Sequence, residues 1–126
     1  RGRQTVHIQE IKWMDEENRE AILKISDNME ILQCFSFPCR YSVGDILFEP
    51  LESLDVEDIV FHQKKENCIK EMDGIFKYKL VGVMKNIEKG IISVYGFDIH
   101  IDQEKIPVDI ENGMYVECIV PRIDIW

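Results

Sequence analysis

With 126 residues, 45% of them hydrophobic and 31% charged, the chain is long enough to bury a core of its own and too rich in apolar side chains to be disordered. A formal net charge of −9 at pH 7 argues against a protein built to grip phosphate backbones, because like charges repel. No run of about 18 apolar residues occurs, which excludes a membrane-spanning helix. The amino terminus Arg1-Gly2-Arg3-Gln4 opens no apolar signal core, so a soluble, cytoplasmic protein is expected.

In chain order, Val6, Ile8 and Glu10 alternate with His7, Gln9 and Ile11, the two-residue period of a strand. Asp15-Glu16-Glu17-Asn18 is a turn, since Asp and Asn side chains bond their own backbone. Residues 21–25 are predicted as a second strand, Ser26-Asp27-Asn28 as a turn, and residues 30–37 as a third strand. Pro38 ends it, having no amide to donate. Val43-Gly44-Asp45 turns the chain into a returning strand, Ile46-Leu47-Phe48, with glycine supplying a positive backbone dihedral. Residues 50–60 are the least strand-like. Leu51, Leu54 and Asp58 fit helical spacing and Ser53 offers a cap, so a brief irregular or helical connector is expected there. The polar run Gln63-Lys64-Lys65-Glu66-Asn67 marks an exposed loop, with the seam between two units at residues 67–74.

Beyond the seam, Phe76, Tyr78 and Leu80 oppose Lys77 and Lys79, a strand with one wet face. Gly82 within it suggests a bulge or tight bend. Asn86 to Gly90 is a hairpin turn, residues 91–95 a strand and Gly96 a break. Phe97, Ile99 and Ile101 alternate with Asp98, His100 and Asp102 in a further strand. Pro107 and Asn112-Gly113 bracket a loop, and residues 114–120 make a last long strand that Pro121 terminates.

The two halves share this pattern. Gly44 follows Ile22 by 22 positions and Gly113 follows Ile91 by 22, each after a strand, a charged turn and a second strand. The fold expected is mostly β with little helix: two tandem small β-barrels, OB-like or SH3-like, at residues 1–66 and 75–126.

The second half, through Lys79-Leu80-Val81-Gly82-Val83, Gly90-Ile91-Ile92-Ser93-Val94 and Asn112-Gly113-Met114-Tyr115-Val116, resembles the RNA-binding OB domains over about 50 residues. Those begin with a glycine-bearing strand and close with a Gly-x-x-Val strand. The resemblance implies a five-stranded barrel with a binding face on its second and third strands, where aromatic rings stack bases and basic side chains follow phosphates. On this chain that face falls near Ser93, Tyr95, Phe97 and His100. Asp98 and Asp102 stand where a basic cluster would be expected, so the fold and the ligand are separable.

Catalytic signatures are missing. No Gly-rich phosphate loop, His-Glu-x-x-His, calcium loop or nucleophile elbow occurs, and no enzyme activity or cofactor is expected. His7, His62 and His100 are far apart, and no pairing with a cysteine suggests itself. Asp98, His100 and Asp102 lie on one strand face and form the single metal-like grouping. A solvated face explains them, so no metal is expected. Cys34, Cys39, Cys68 and Cys118 contain no Cys-x-x-Cys pair. They are expected as reduced structural thiols, with a Cys34 to Cys39 bridge as the exception.

Charge carries the functional expectation. Glu49, Glu52, Asp55, Glu57 and Asp58 fall in one ten-residue window, with no Lys or Arg between Arg40 and Lys64. Such a stretch attracts basic surfaces and speeds encounter with them. Among the aromatics Trp13, Phe35, Phe37 and Tyr41, Trp13 and Tyr41 are candidate anchors beside it, and Trp126 either docks back on the barrel or touches a partner. The expected function is a non-enzymatic acidic protein that masks a basic partner such as a toxin or nuclease, an immunity or antitoxin-like inhibitor. The alternative is a single-stranded nucleic-acid module reading through Tyr95, Phe97, Lys77, Lys79, Lys85 and Lys89.

Overall fold

The computed structural model describes residues 5–74 and 76–125, and within them the protein is mostly β. The first half folds as a meander of β1 (Val6–Asp15), β2 (Glu20–Ser26) and β3 (Ile31–Ser36), followed by β4 (Ile46–Leu47), β5 (Leu51–Leu54) and β6 (Glu57–Phe61). After β7 (Cys68–Glu71) comes a second meander, β8 (Tyr78–Asn86), β9 (Ile91–Val94) and β10 (Phe97–His100), then β11 (Tyr115–Val120) and β12 (Arg122–Asp124). One 3-10 turn, Gln103–Lys105, is the whole helical content among the described residues; the Asp102 side chain accepts from its Glu104 amide. No helix is long and apolar enough to cross a membrane.

Alternation drives these strands. Leu23 and Ile25 on β2, Leu32 and Cys34 on β3, Ile92 and Val94 on β9 and Phe97 and Ile99 on β10 all point inward. Each contributes on the order of 1.5–3 kcal/mol by leaving water. The turns follow the side-chain chemistry read above. Asn18 donates to the Asp15 carboxylate through both its backbone amide, at 3.3 Å, and its side chain, at 2.7 Å. Asn86 accepts the Lys89 amide at 3.0 Å.

The two halves run their pairings in the same order. β1 pairs antiparallel with β2 and β4, and β8 with β9 and β11. The third strands, β3 and β10, each pair antiparallel with the second. Each then takes a parallel neighbour from the opposite half: β12 beside β3, and β5 beside β10. β5 and β12 in turn pair antiparallel with each other. The corresponding turns also match. Gly44 donates to the Ile8 carbonyl and Gly113 to the Met84 carbonyl, both at 2.8 Å, while Ile8 and Met84 donate back to Asp45 and Met114. Gly44 and Gly113 have φ of 95° and 91°, a region that only glycine enters without strain. A register shift follows at Ile8/Glu10 and at Met84/Asn86.

The pairings form one open path from β4 to β6, and by themselves they close neither half into a barrel. One hydrophobic cluster draws on both halves, with Ile8, Leu23 and Leu32 joining Leu80, Phe97 and Ile123.

Several expectations are corrected. Residues 50–60 hold two strands, β5 and β6, and no helix. Leu51 is buried while Leu54 is only half-buried, the strand alternation overriding the helical spacing. The expected linker 67–74 carries β7, paired with β8, and strands from either side of it are laddered together. The last long strand does end at Pro121, and the addition is the short β12 that follows it directly. Gly82 is not the bulge, which lies at Met84/Asn86. β8 changes neighbours at Gly82, from β7 to β9; a Cβ there would fall on the Ser93 carbonyl and lie 2.7 Å from a Val94 methyl. All four cysteines are free, with Cys34, Cys39 and Cys118 buried. Burial pushes the Cys118 thiol up to about 12 and raises that of Cys34 further, which keeps both inert. Trp126 lies outside the described residues.

Candidate binding surface

β4 ends at Leu47, and the chain reaches β5 through Phe48, Glu49 and Pro50. This short connection is the wall between two clefts of about 430 and 450 Å³, both of which include residues 46–50. Phe48 is 86% exposed, and Ile46, which lines both clefts with it, is exposed too. A large aromatic side chain left in water next to concave surface is the form an interface anchor takes.

The acidic candidates divide between two places. Glu49 lines both clefts and Glu52 the second; the Glu52 carboxylate lies 2.9 Å from His100 Nδ1. Asp55 is exposed in the turn from β5 to β6, and Glu57 and Asp58 are exposed at the start of β6, with Asp55 and Asp58 in the left-handed region at φ 55° and 53°, which Asp tolerates better than most residues. The stretch lacks a cation in sequence but gains one in space, because Lys105 Nζ donates to the Val56 carbonyl at 3.1 Å.

Tyr41 lines the second cleft with Glu49 and Glu52. Burial, followed by charge on Cys39, Asp45 and Glu49, raises its phenol above the ordinary value. Trp13 is not brought there. It lies six residues along β1 from His7, the partner of Ile46, or about 20 Å at the strand rise, and the Arg19 guanidinium covers its ring at 5.0 Å.

Across the first cleft from Phe48 stands the turn between β9 and β10, which carries Tyr95. Tyr95 is 39% exposed and has φ 52°. Its amide donates to Asn67 Oδ1 and its hydroxyl to the Asn67 carbonyl, both at 3.0 Å. Burial and the nearby acids, Glu30 first, hold its phenol above the usual range. Phe97 cannot serve as a stacking ring, since it is 0% exposed; it faces inward because strand alternation carries it to the side opposite Asp98. Lys79 lies 3.5 Å from Glu117 and Lys85 2.7 Å from Asp98, so two of the four expected phosphate contacts are neutralised. Lys77 is half-buried and Lys89 exposed. Ser93 donates at 3.5 Å to the Tyr95 carbonyl.

Asp98 and His100 share a face of β10, but the strand ends at His100 and Asp102 lies beyond it as the cap of the 3-10 turn; Asp98 pairs with Lys85 and His100 with Glu52. Among the described residues no group of three or more His, Cys, Asp or Glu is placed to hold a metal ion.

No protein-family model, curated protein or solved structure matches the chain.

The geometry therefore has to speak through its own chemistry. Sequence reading missed Phe48 as a surface residue because an apolar residue ending a strand reads as core. The signal present was Pro50, two residues on, which donates no ladder hydrogen bond and marks the connection to β5. Reading the sequence also missed His62, whose Nδ1 lies 2.9 Å from Glu117 and Nε2 2.7 Å from Glu66.

Proposed function

We propose that this chain is a non-enzymatic binding protein whose surface around Phe48, Glu49 and Glu52 covers a basic surface of a partner protein, as an immunity or antitoxin-like inhibitor does. The observation that carries this reading is the exposed Phe48 ring standing between two clefts that share Glu49. An aromatic anchor supplies affinity, and the surrounding negative charge steers a cationic partner and rejects acidic ones. A toxin or nuclease fits, because its substrate site is itself cationic. The proposed setting is the cytoplasm, which suits four free thiols.

Behind this surface we read two OB-like units in tandem, β1–β5 and β8–β12, that have traded their last strands. The shared pairing order and the matching Gly44 and Gly113 turns support that reading. The nucleic-acid alternative loses support through the buried Phe97 and the paired Lys79 and Lys85.

A photo-crosslinking residue at position 48, used in the host cell, tests the proposal. The expected product is one adduct with a basic protein, lost when Glu49 and Glu52 are both changed to lysine. An adduct with acidic proteins, or one indifferent to the charge reversal, would refute the reading.

A further inference from the structure

β4 stands at one end of the sheet, and among the described residues it pairs only with β1. Val6 faces Leu47, His7 faces Ile46, and the Ile8 amide donates to the Asp45 carbonyl at 2.9 Å. The alternation of an antiparallel ladder then turns the amide and carbonyl of Leu47 toward β1 and those of Ile46 outward. An outward-facing edge of this kind is a template for a further strand.

The two clefts open beside this edge and have residues 46–50 in common. A strand laid next to β4 in the plane of the sheet sends successive side chains to opposite faces. One set would meet Tyr41 and Glu52, the other Tyr95 and the Lys85–Asp98 pair, with Glu49 bordering both. We infer that β4 accepts an extended, basic segment of the partner protein as an added strand, with Glu49 and Glu52 receiving its cationic side chains. A second copy of this chain is a poor occupant, since it would bring another net charge of −9 against the same carboxylates. The inference rests on the acidic-surface reading above and adds to it the partner's conformation: main-chain hydrogen bonds for affinity, alternate side chains for selection.

The test uses the intact chain with an eight-residue peptide alternating lysine and valine, and two analogues of identical charge N-methylated at the odd or the even amides. Calorimetry and amide hydrogen exchange are the readouts. The plain peptide is expected to bind and to slow exchange at the Ile46 amide, and one of the two analogues to bind at least tenfold more weakly. Equal binding by all three peptides overturns strand addition but leaves the acidic surface standing. No binding by any of them at millimolar concentration overturns the acidic-surface reading, and strand addition falls with it.

Discussion

Asp27 reaches across the molecule to Gly96: its Oδ2 accepts the Gly96 amide at 2.8 Å, from 69 positions away. The other carboxylate oxygen accepts the amides of Met29 and Glu30 at 2.9 and 2.7 Å. One side chain, 1% exposed, thus closes its own turn and joins it to the turn that carries Tyr95. Asp27→Ala is expected to cost about 2 kcal/mol, since it takes a charged acceptor from three part-buried amides. Asp27→Asn keeps one accepting oxygen, enough for Met29 and Glu30, but turns its NH2 toward the Gly96 amide, so it should recover only part of that loss. Urea unfolding with an unchanged m-value checks both.

Gly82 and the pair Gly44 and Gly113 should respond to alanine for different reasons. At Gly82 a Cβ meets the β9 backbone, so Gly82→Ala is expected to lose about 2–4 kcal/mol through forced strand displacement. At Gly44 and Gly113 the space is open and only the left-handed conformation is penalised, about 1–2 kcal/mol each. Thermal unfolding of the three variants should rank Gly82→Ala lowest and place the other two together.

His62 sits between Glu117 and Glu66, and its hydrogen bonds to them, Glu117 first, raise its pKa above the ordinary value. The same contact lowers Glu117, with Lys79 adding to the effect. A raised histidine stabilises the fold fully below its unfolded pKa of about 6.5 and ceases to do so as pH rises through the folded value. A lowered carboxylate stabilises above its unfolded value of about 4.3 and ceases as pH falls through the folded one. The pair therefore contributes most between roughly pH 4.3 and 6.5. An NMR titration should find the His62 midpoint elevated and returning toward normal in Glu117→Gln; an unmoved midpoint would discount the contact.

Phe48→Ala separates stability from binding. The ring is 86% exposed, so its removal should change unfolding free energy by less than about 0.5 kcal/mol. Loss of an interface anchor typically costs about 2 kcal/mol or more of binding, roughly thirtyfold. The comparison needs one denaturation curve and one titration with the crosslinked partner. Equal losses in the two would make Phe48 a core residue and remove it from the surface.

Much of the strand content was legible because the meanders alternate over five or more residues, as at Phe97 to Ile101, and because Asx turns announce themselves. β5, β6, β7 and β12 escaped because they are short, at three to five residues, and because their faces are set by neighbours distant in sequence. Leu51 is inward because His100 and Asp124 place Glu52 between them, which no local period encodes. The acidic window was visible as composition. Its division into a cleft lined by Glu49 and Glu52 and a separate group, Asp55 in the turn with Glu57 and Asp58 at the start of β6, depends on where β5 runs. Trp13 drew notice by residue type alone, and its position on the far end of a hairpin follows from the length of β1.

The parallel pairing of β12 with β3 has a bearing on synthesis. A ribosome releases the chain from its amino end, so β3 emerges long before Asp124, the residue that ladders with Phe35. Throughout that interval the flank of the nascent meander lacks its native neighbour and exposes Leu32 and Cys34 to whatever else is in reach. Two chains made side by side could each lend the other a terminal strand, giving intertwined dimers as the characteristic misassembly of this topology.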